Sequence, residues 1–339
     1  MVTTARQVAS ATRPSLVNRT RRHILDLDDF SQAEMELVFS TTDAMLEVLG
    51  REIKKVPTLR GKVIVTLFYE PSTRTRVSFE QAGKLLSADV INVSASGSSV
   101  EKGESLLNTT RTLQATGTDA LVVRHPHSGA PYFMARNLER TCVINGGDGW
   151  HAHPTQALLD LYTIKRHLGQ LRDMKVVIVG DVLHSRVARS NLWGLVTFGA
   201  RIVLCAPPTL APLEFLNGSH RKDSGPLAAV ELDTNLDSAI EGADVVMPLR
   251  LQLERQQAGL IPSLREYSKM YQVDARRLAR AKPGALVLHP GPMNEGVEIS
   301  PQVAHGTQSL IEEQVRNGVA ARMALLYLLL GPRPEEGAK

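Results

Sequence analysis

The stretch Phe68-Tyr-Glu-Pro-Ser-Thr-Arg-Thr-Arg-Val-Ser-Phe-Glu80 separates two segments with different periodicity. The segment before it, 61–67, is mostly β-branched or apolar, which is typical of a buried parallel strand. After it, apolar residues recur with helical spacing at Phe79, Ala82 and Leu86. The sequence therefore predicts a strand, a short loop and a helix in direct succession.

The loop of this unit is crowded with hydroxyl and guanidinium groups. Its consecutive residues are Ser72, Thr73, Arg74, Thr75 and Arg76. A helix N-terminus offers unpaired N–H groups and a positive dipole end, and arginine binds phosphate oxygens in a bidentate fork. We therefore predict an anion site, although Ser72 and Thr73 could instead only cap the helix. The P-loop pattern is absent, so the ligand need not be a nucleotide.

Length and composition limit the class of protein. At 339 residues the chain is long enough for two domains, each with its own core. Its two cysteines, Cys142 and Cys205, lack a metal-ligand spacing, so we expect a cytoplasmic protein without disulfides, metal or cofactor. No apolar run reaches the length of a membrane span, and we expect no contact with a membrane.

A mild basic excess leaves two interpretations open. The formal net charge is +4, which fits arginines gathered around small anionic substrates. Nucleic acid is disfavoured because aromatic residues are only 4% and none interleaves with a basic stripe. The first 25 residues hold five arginines and no acid, which resembles a targeting segment only faintly. A disordered tail is the simpler interpretation, and nucleic-acid binding through it would depend steeply on salt.

Strands and helices alternate along both halves of the chain. Further strands are predicted at 89–93, 119–123, 141–144, 174–179, 201–205, 244–247 and 285–288. Helices are predicted at 35–49 after the capping box Ser31–Glu34, at 104–117, at 154–168, from about Ser185, and at 315–330. This order predicts an α/β fold of two domains, each a parallel sheet flanked by helices. The last helix is expected to pack back on the first domain.

Polar residues follow several of the predicted strands. These residues are Arg124, His153 with Gln156, Arg186, Arg250 with Gln252, and the segment His289–Pro292. Because ligands of parallel α/β sheets bind outside the carboxyl ends of the strands, this set predicts an anion site in a crevice between two domains. Each residue also has a simpler explanation: His153 could cap a helix and Arg250 could lie solvated. His151 and His153 lack a third metal ligand at a suitable spacing.

Together these motifs resemble the catalytic chains of the aspartate carbamoyltransferase family. The resemblance runs from Ile24 to Leu330 and rests on Phe68–Glu80, Lys102–Glu104, Arg124–Pro126, His153–Gln156, Arg250–Arg255 and His289–Pro292. The first motif is shared with the whole carbamoyltransferase superfamily. The ornithine-using branch carries a Ser-Met-Gly loop and a His-Cys-Leu-Pro segment, and neither is present here. Gly291 stands where some members have leucine, in a segment where the family uses mainly backbone carbonyls.

The resemblance implies an activity and a division of the chain. The family transfers the carbamoyl group of carbamoyl phosphate to L-aspartate, giving N-carbamoyl-L-aspartate and phosphate in pyrimidine biosynthesis. It implies a carbamoyl-phosphate-binding domain over residues 1–152, to which 314–339 return, and an aspartate-binding domain over 153–313. The alternatives are an ornithine-type or other amine-specific carbamoyltransferase, or a non-catalytic domain that only assembles other enzymes.

The resemblance also implies roles for single residues. Carbamoyl phosphate would be held by Ser72, Thr73, Arg74, Thr75, Ser98, Arg124, His153, Gln156, Pro290 and Gly291. L-aspartate would be held by Lys102, Arg186, Arg250 and Gln252. Within these sets Arg74, Thr75, Lys102, Arg124 and His153 would be catalytic.

The family resemblance further implies an oligomer. The loop with Ser98 and Lys102 would reach into the active site of a neighbouring subunit, which requires at least a homotrimer with shared sites. A regulatory chain or a dihydroorotase partner is possible in the family, and the sequence does not decide between these and a bare trimer.

Overall fold

The first half of the chain forms a four-stranded parallel sheet. The computed structural model describes residues 21–94, 103–219, 222, 225–252 and 259–332. The strands are β1 (Val63–Phe68), β2 (Asp89–Ser94), β3 (Ala120–His125) and β4 (Cys142–Asp148). Their spatial order is β2-β1-β3-β4, so the direction of winding reverses between β1 and β3. Such a reversal opens a crevice at the carboxyl ends of the two strands.

Five helices accompany this sheet: α1 (Gln32–Leu49), α2 (Thr73–Leu85), α3 (Leu106–Ala115), α4 (Ala130–Arg136) and α5 (Pro154–Leu168). The predicted capping box begins α1, because Ser31 Oγ accepts from the Glu34 N–H and the Glu34 carboxylate accepts from the Ser31 N–H. Phe79, at 0% exposure, anchors α2 on the core. The α2 N-terminus therefore lies directly after β1, at the crevice.

The second half forms a five-stranded parallel sheet. Its strands are β5 (Lys175–Val179), β6 (Arg201–Cys205), β7 (Glu231–Asp233), β8 (Val245–Pro248) and β9 (Leu286–Val287). Their order is β7-β6-β5-β8-β9, with a second reversal of winding between β5 and β8. The accompanying helices are α6 (Arg186–Thr197), α7 (Leu213–Leu216), α8 (Leu236–Ala239), α9 (Leu264–Tyr271), α10 (Ala275–Leu278) and α11 (Pro301–Ala304). The predicted fold class is confirmed.

The last helix, α12 (Ile311–Leu330), returns to the first half of the chain. It packs against α1, α2 and α5, as predicted for the C-terminal helix. One apolar core extends through α5 and α12 and includes Ile64 of the first sheet and Val176 of the second. Within the described parts of the chain, none of the helices has both the length and the hydropathy of a membrane span.

The structure extends one predicted strand and adds several short elements. β4 continues through Gly146 and Gly147 to Asp148, whereas the glycines were expected to end it, because the ladder to β3 persists as far as the pair His125 and Asp148. No bounds were predicted for the short elements α4, β7 and α7 to α11, since none is long enough to show a clear period. The helix predicted from residue 104 begins at Leu106.

Candidate active site

The N-terminus of α2 carries the residues predicted to hold phosphate. Ser72 is the N-cap with extended backbone, yet its side chain makes no capping hydrogen bond. The first turn contains no acidic residue, so nothing on the helix neutralises the positive dipole end. Thr75 is buried at 5% exposure, whereas Thr73 and Arg74 are exposed. This geometry favours the anion site over the alternative in which Ser72 only caps the helix.

Arg74 lies against the loop that follows β9. A Cβ added at Gly291 would lie 2.5 Å from Arg74 Cζ, and Gly291 itself has a φ of +64°. Partial burial and the nearby charge of Arg250 both lower the pKa of Arg74. Two guanidinium groups, one from each half of the chain, therefore face the same space. Like charges near each other favour a bound anion, because the anion offsets their repulsion.

Glu70 pairs with two predicted site arginines at once. Its Oε2 lies 3.3 Å from Arg124 Nε and 3.0 Å from Arg186 Nη2. Arg186 is only 4% exposed and also donates to the Gly149 carbonyl at 3.2 Å. A Cβ at Gly147 would lie within 3.2 Å of both guanidinium groups, so only glycine allows this approach. The sequence analysis missed Glu70, although an acid directly before Pro71 in an arginine-rich loop was a usable signal.

His153 and Gln156 occupy the first turn of α5, directly beyond β4. His153 is the N-cap at 5% exposure, and its backbone N–H donates to Ser190 Oγ at 2.9 Å. Ser190 in turn donates to the buried Asp26 at 2.9 Å. Gln156 donates from Nε2 to Asp160 Oδ1 at 2.9 Å, which leaves its Oε1 as an acceptor.

The segment after β9 is organised by His289. This residue is 2% exposed, its Nδ1 accepts from the Gly291 N–H at 2.8 Å, and its Nε2 lies 3.2 Å from Glu298 Oε1. The imidazole therefore shapes the loop. The half-buried Pro290 and Gly291 lie between this histidine and Arg74.

The contacts above do not include every residue predicted for the site. Ser98, Lys102 and Arg255 lie outside the described residues. Gln252 is half-buried two positions after Arg250. His151 Nδ1 lies 3.1 Å from Asp148 Oδ2, and among the described residues no three histidine, cysteine or carboxylate side chains are grouped to hold a metal ion.

The two sheets and the arginines between them define a two-domain parallel α/β protein with a candidate anion site. Residues 22–166 match the family described as aspartate/ornithine carbamoyltransferase, carbamoyl-P binding domain. Residues 172–329 match its companion, the Asp/Orn binding domain. The chain belongs to the aspartate/ornithine carbamoyltransferase family, which confirms the resemblance seen in the sequence.

Individual relatives are close in sequence. The aspartate carbamoyltransferase catalytic subunit of Roseiflexus sp. (strain RS-1) is 62% identical over 311 residues, covering 92% of this chain and 96% of the relative. The protein of the same name from Chloroflexus aurantiacus (strain ATCC 29366 / DSM 635 / J-10-fl) is 58% identical over 312 residues, covering 92% and 99%.

Solved structures share the fold. Aspartate transcarbamoylase from Trypanosoma cruzi in complex with N-(phosphonacetyl)-L-aspartic acid aligns with a TM-score of 0.82 and 31% identity, covering 91% of this chain and 96% of that chain. Ornithine carbamoyltransferase from Pyrococcus furiosus aligns with a TM-score of 0.79 and 28% identity, covering 91% and 97%. The fold is thus common to both branches.

Proposed function

We propose that this chain is an aspartate carbamoyltransferase, which transfers the carbamoyl group of carbamoyl phosphate to L-aspartate in pyrimidine biosynthesis. The observation that carries the proposal is the meeting of Arg74 and Arg124 from the first half with Arg186 and Arg250 from the second. Carbamoyl phosphate is a dianion and aspartate a dicarboxylate, so a crevice lined by arginines from both sides suits the pair. The names of the relatives at 58% and 62% identity support the same function.

The first half of the chain would hold carbamoyl phosphate. Ser72, Thr73, Arg74 and Thr75 surround the phosphate at the α2 N-terminus. Thr75, Arg124 and His153 donate to the carbamoyl oxygen, where negative charge develops in the transition state. Gln156 Oε1 and the Pro290 carbonyl accept from the carbamoyl NH2 group. The backbone of Gly291 lines the same side of the site.

The second half would hold L-aspartate. Arg186 takes the α-carboxylate, while Arg250 and Gln252 take the β-carboxylate. The aspartate amine attacks the carbamoyl carbon and a C–N bond forms. The C–O bond to phosphate then breaks, and the proton lost by the amine passes to the leaving phosphate. Catalysis then comes from positioning and electrostatic stabilisation.

The ornithine alternative requires the opposite charge in the same crevice. A cationic side-chain amine requires carboxylates in the second-half pocket, whereas the described residues that reach it from that half include Arg186 and Arg250. A non-catalytic assembly domain would not need to keep this set of anion-binding groups. Assays of product formation with L-aspartate and with L-ornithine distinguish both alternatives from the proposed function.

We further propose the division of the chain into residues 1–152 with 314–339 and residues 153–313, and a homotrimer. In that trimer Ser98 and Lys102 would serve a neighbouring subunit's site. In support, the edge strand β2, which leads into their segment, leaves Ile91 51% exposed. In the family, either a bare trimer or a trimer with a regulatory chain or a dihydroorotase partner is found, and both arrangements stay open for this chain. A cytoplasmic location fits the substrates.

The test measures product formation from carbamoyl phosphate with L-aspartate and, in parallel, with L-ornithine. Wild type is compared with Lys102→Ala, with Arg250→Ala and with a mixture of the two variants. We expect aspartate turnover that each variant loses and the mixture partly regains, since mixed trimers contain some intact shared sites. Ornithine turnover without aspartate turnover would establish the rival enzyme, and no turnover with either would favour the non-catalytic domain.

A further inference from the structure

Asp160 on α5 is a buried carboxylate one helical turn after Gln156. It is 0% exposed and accepts three side-chain hydrogen bonds. Gln156 Nε2 and Gln314 Nε2 donate to its Oδ1 at 2.9 and 2.7 Å, and Asn191 Nδ2 donates to its Oδ2 at 3.0 Å. The donors lie on α5, α12 and α6, so one carboxylate joins three helices beneath the crevice.

The charge of Asp160 determines how these amides are turned. An ionised carboxylate can only accept hydrogen bonds, so each neighbouring amide must point its NH2 group toward it. Burial raises the pKa of Asp160 to about 6, while the three hydrogen bonds and the charge of the buried Arg322 act in the opposite direction. All three neighbouring amides donate to Asp160, which is the hydrogen-bond pattern of an ionised carboxylate.

At Gln156 this orientation exposes an acceptor to the crevice. With Nε2 bound to Asp160, the remaining polar atom is Oε1, to which no group in the described part of the chain donates. An amide oxygen in this position complements an N–H donor of a ligand. If the amide were reversed, the same position would offer a donor and would repel the carbamoyl NH2 group.

At Gln314 the same constraint reaches the loop after β9. Its Oε1, turned away from Asp160, accepts from the His289 backbone N–H at 2.9 Å. His289 Nδ1 then accepts from the Gly291 N–H at 2.8 Å. The backbone on either side of Pro290, whose carbonyl is the second proposed acceptor, is thus fixed through Gln314 to the same carboxylate.

We propose that Asp160 is a positioning residue that turns the carbamoyl pocket into a two-acceptor site and so selects an acyl phosphate bearing NH2 over one bearing CH3. The inference rests on the proposed function, because Gln156 and Pro290 are assigned there to the carbamoyl NH2 group. The two N–H donors of that group match the two acceptors. Acetyl phosphate has the same carbonyl and phosphate groups, but its methyl group offers no donor.

The experiment measures dissociation constants of carbamoyl phosphate and acetyl phosphate by calorimetric titration of the full chain. Asp160→Asn keeps the shape but loses the charge, and we expect the preference for carbamoyl phosphate to fall about fivefold. Asp160→Ala leaves no acceptor, and we expect a fall of about tenfold or more. Acetyl phosphate affinity should stay within about twofold in both variants. If Asp160→Ala does not fold, the isosteric Asp160→Asn still decides the question.

Asn191→Ala is the matched control. It removes a hydrogen bond from Asp160 Oδ2 on the α6 side but leaves the bonds to Gln156 and Gln314, so the preference should change by less than about twofold. Equal weakening of both ligands, or an equal effect of Asn191→Ala, would show that Asp160 only stabilises the core and would overturn the inference. Absence of aspartate turnover in wild type would instead reject the proposed function, while the ratio of affinities would still test the role of Asp160.

Discussion

Glu70 is the residue at which the two halves of the site meet. Its single carboxylate lies between a guanidinium group of the first half and one of the second, at 3.3 and 3.0 Å. Both arginines are assigned to substrates, so the carboxylate also fixes how far apart they stand. Geometry of this kind affects catalysis directly, because small displacements of binding groups cost large factors in rate.

We therefore expect Glu70→Ala to lower kcat/KM for aspartate by about tenfold or more, since Arg124 and Arg186 lose the group that aligns them. Steady-state kinetics with both substrates measures this effect. Glu80→Ala is the control, because Glu80 forms its ion pair with the exposed Lys84 on the same helix and should change kcat/KM by less than about twofold. Equal effects of the two variants would contradict the role given to Glu70.

His23 gives a second prediction at the residue scale, this one about pH. Burial, and then the charge of Arg22, lower the pKa of His23 from 6.5 to about 4, and its Nδ1 accepts from the Val143 N–H at 3.0 Å. Between these two pKa values the unfolded chain binds more protons than the native one, so stability is complete above 6.5 and falls as pH drops toward 4.

The size of this loss is about 1–2 kcal/mol once solvent screening of the partly exposed ring is allowed for. Thermal unfolding midpoints of wild type and His23→Gln, measured from pH 7 down to pH 4, provide the test. We expect wild type to lose more stability than the variant over this range. Other groups, such as the buried Asp26, titrate in both proteins, so the difference isolates His23. Parallel curves would refute the assignment.

At the scale of elements, α12 holds the first half together. It lies against α1, α2 and α5, and the Arg322 guanidinium sits 5.2 Å from the centre of the Phe79 ring on α2. The same helix carries Gln314 toward Asp160. The last described helix thus supports both α2, whose N-terminus is the predicted anion site, and α5, whose N-cap is His153.

We expect Leu326→Ala to lower the free energy of unfolding by about 2–5 kcal/mol, because this fully buried side chain leaves a cavity in the core. Val315→Ala, on the same helix but 54% exposed, should change it by less than about 0.5 kcal/mol. Urea denaturation followed by circular dichroism distinguishes the two. Similar midpoints for both variants would mean that α12 does not pack as described.

At the scale of the whole molecule, we expect a neighbouring subunit of the proposed trimer to cover the edge strand β2. All six partner residues of β2 belong to β1, and five of them are buried, whereas β2 itself has four exposed and two half-buried positions. An exposed strand edge that carries an apolar side chain tends to pair with another chain or to be covered by one. A neighbouring subunit would supply that cover.

Ile91→Lys should then reduce the mass measured by light scattering from that of three chains toward that of one, and aspartate turnover should fall with it. A lysine at a covered apolar position buries an unpaired charge, whereas at a free surface it costs little. Ile53→Lys, at a 76% exposed position away from β2, is expected to remain trimeric and active. A trimeric, fully active Ile91→Lys protein would exclude this edge from the interface.

The succession of strands and helices along the chain could be predicted from the sequence because it depends on local patterns. The periodicity of 154–168 and 201–205 predicted α5 and β6 with their observed bounds, and the run Ser72–Thr75 predicted an anion site at a helix N-terminus. These features need only neighbours along the chain.

Tertiary structure alone decided which distant groups meet. Nothing local pairs Glu70 with Arg186, 116 positions away, or brings Gln314 to Asp160 across 154 positions. The need for glycine at Gly147 also appears only when Arg124 and Arg186 come to lie above it. Sequence patterns report the periodicity and chemistry of each segment, whereas the partners of a buried charge are set by how separate segments pack.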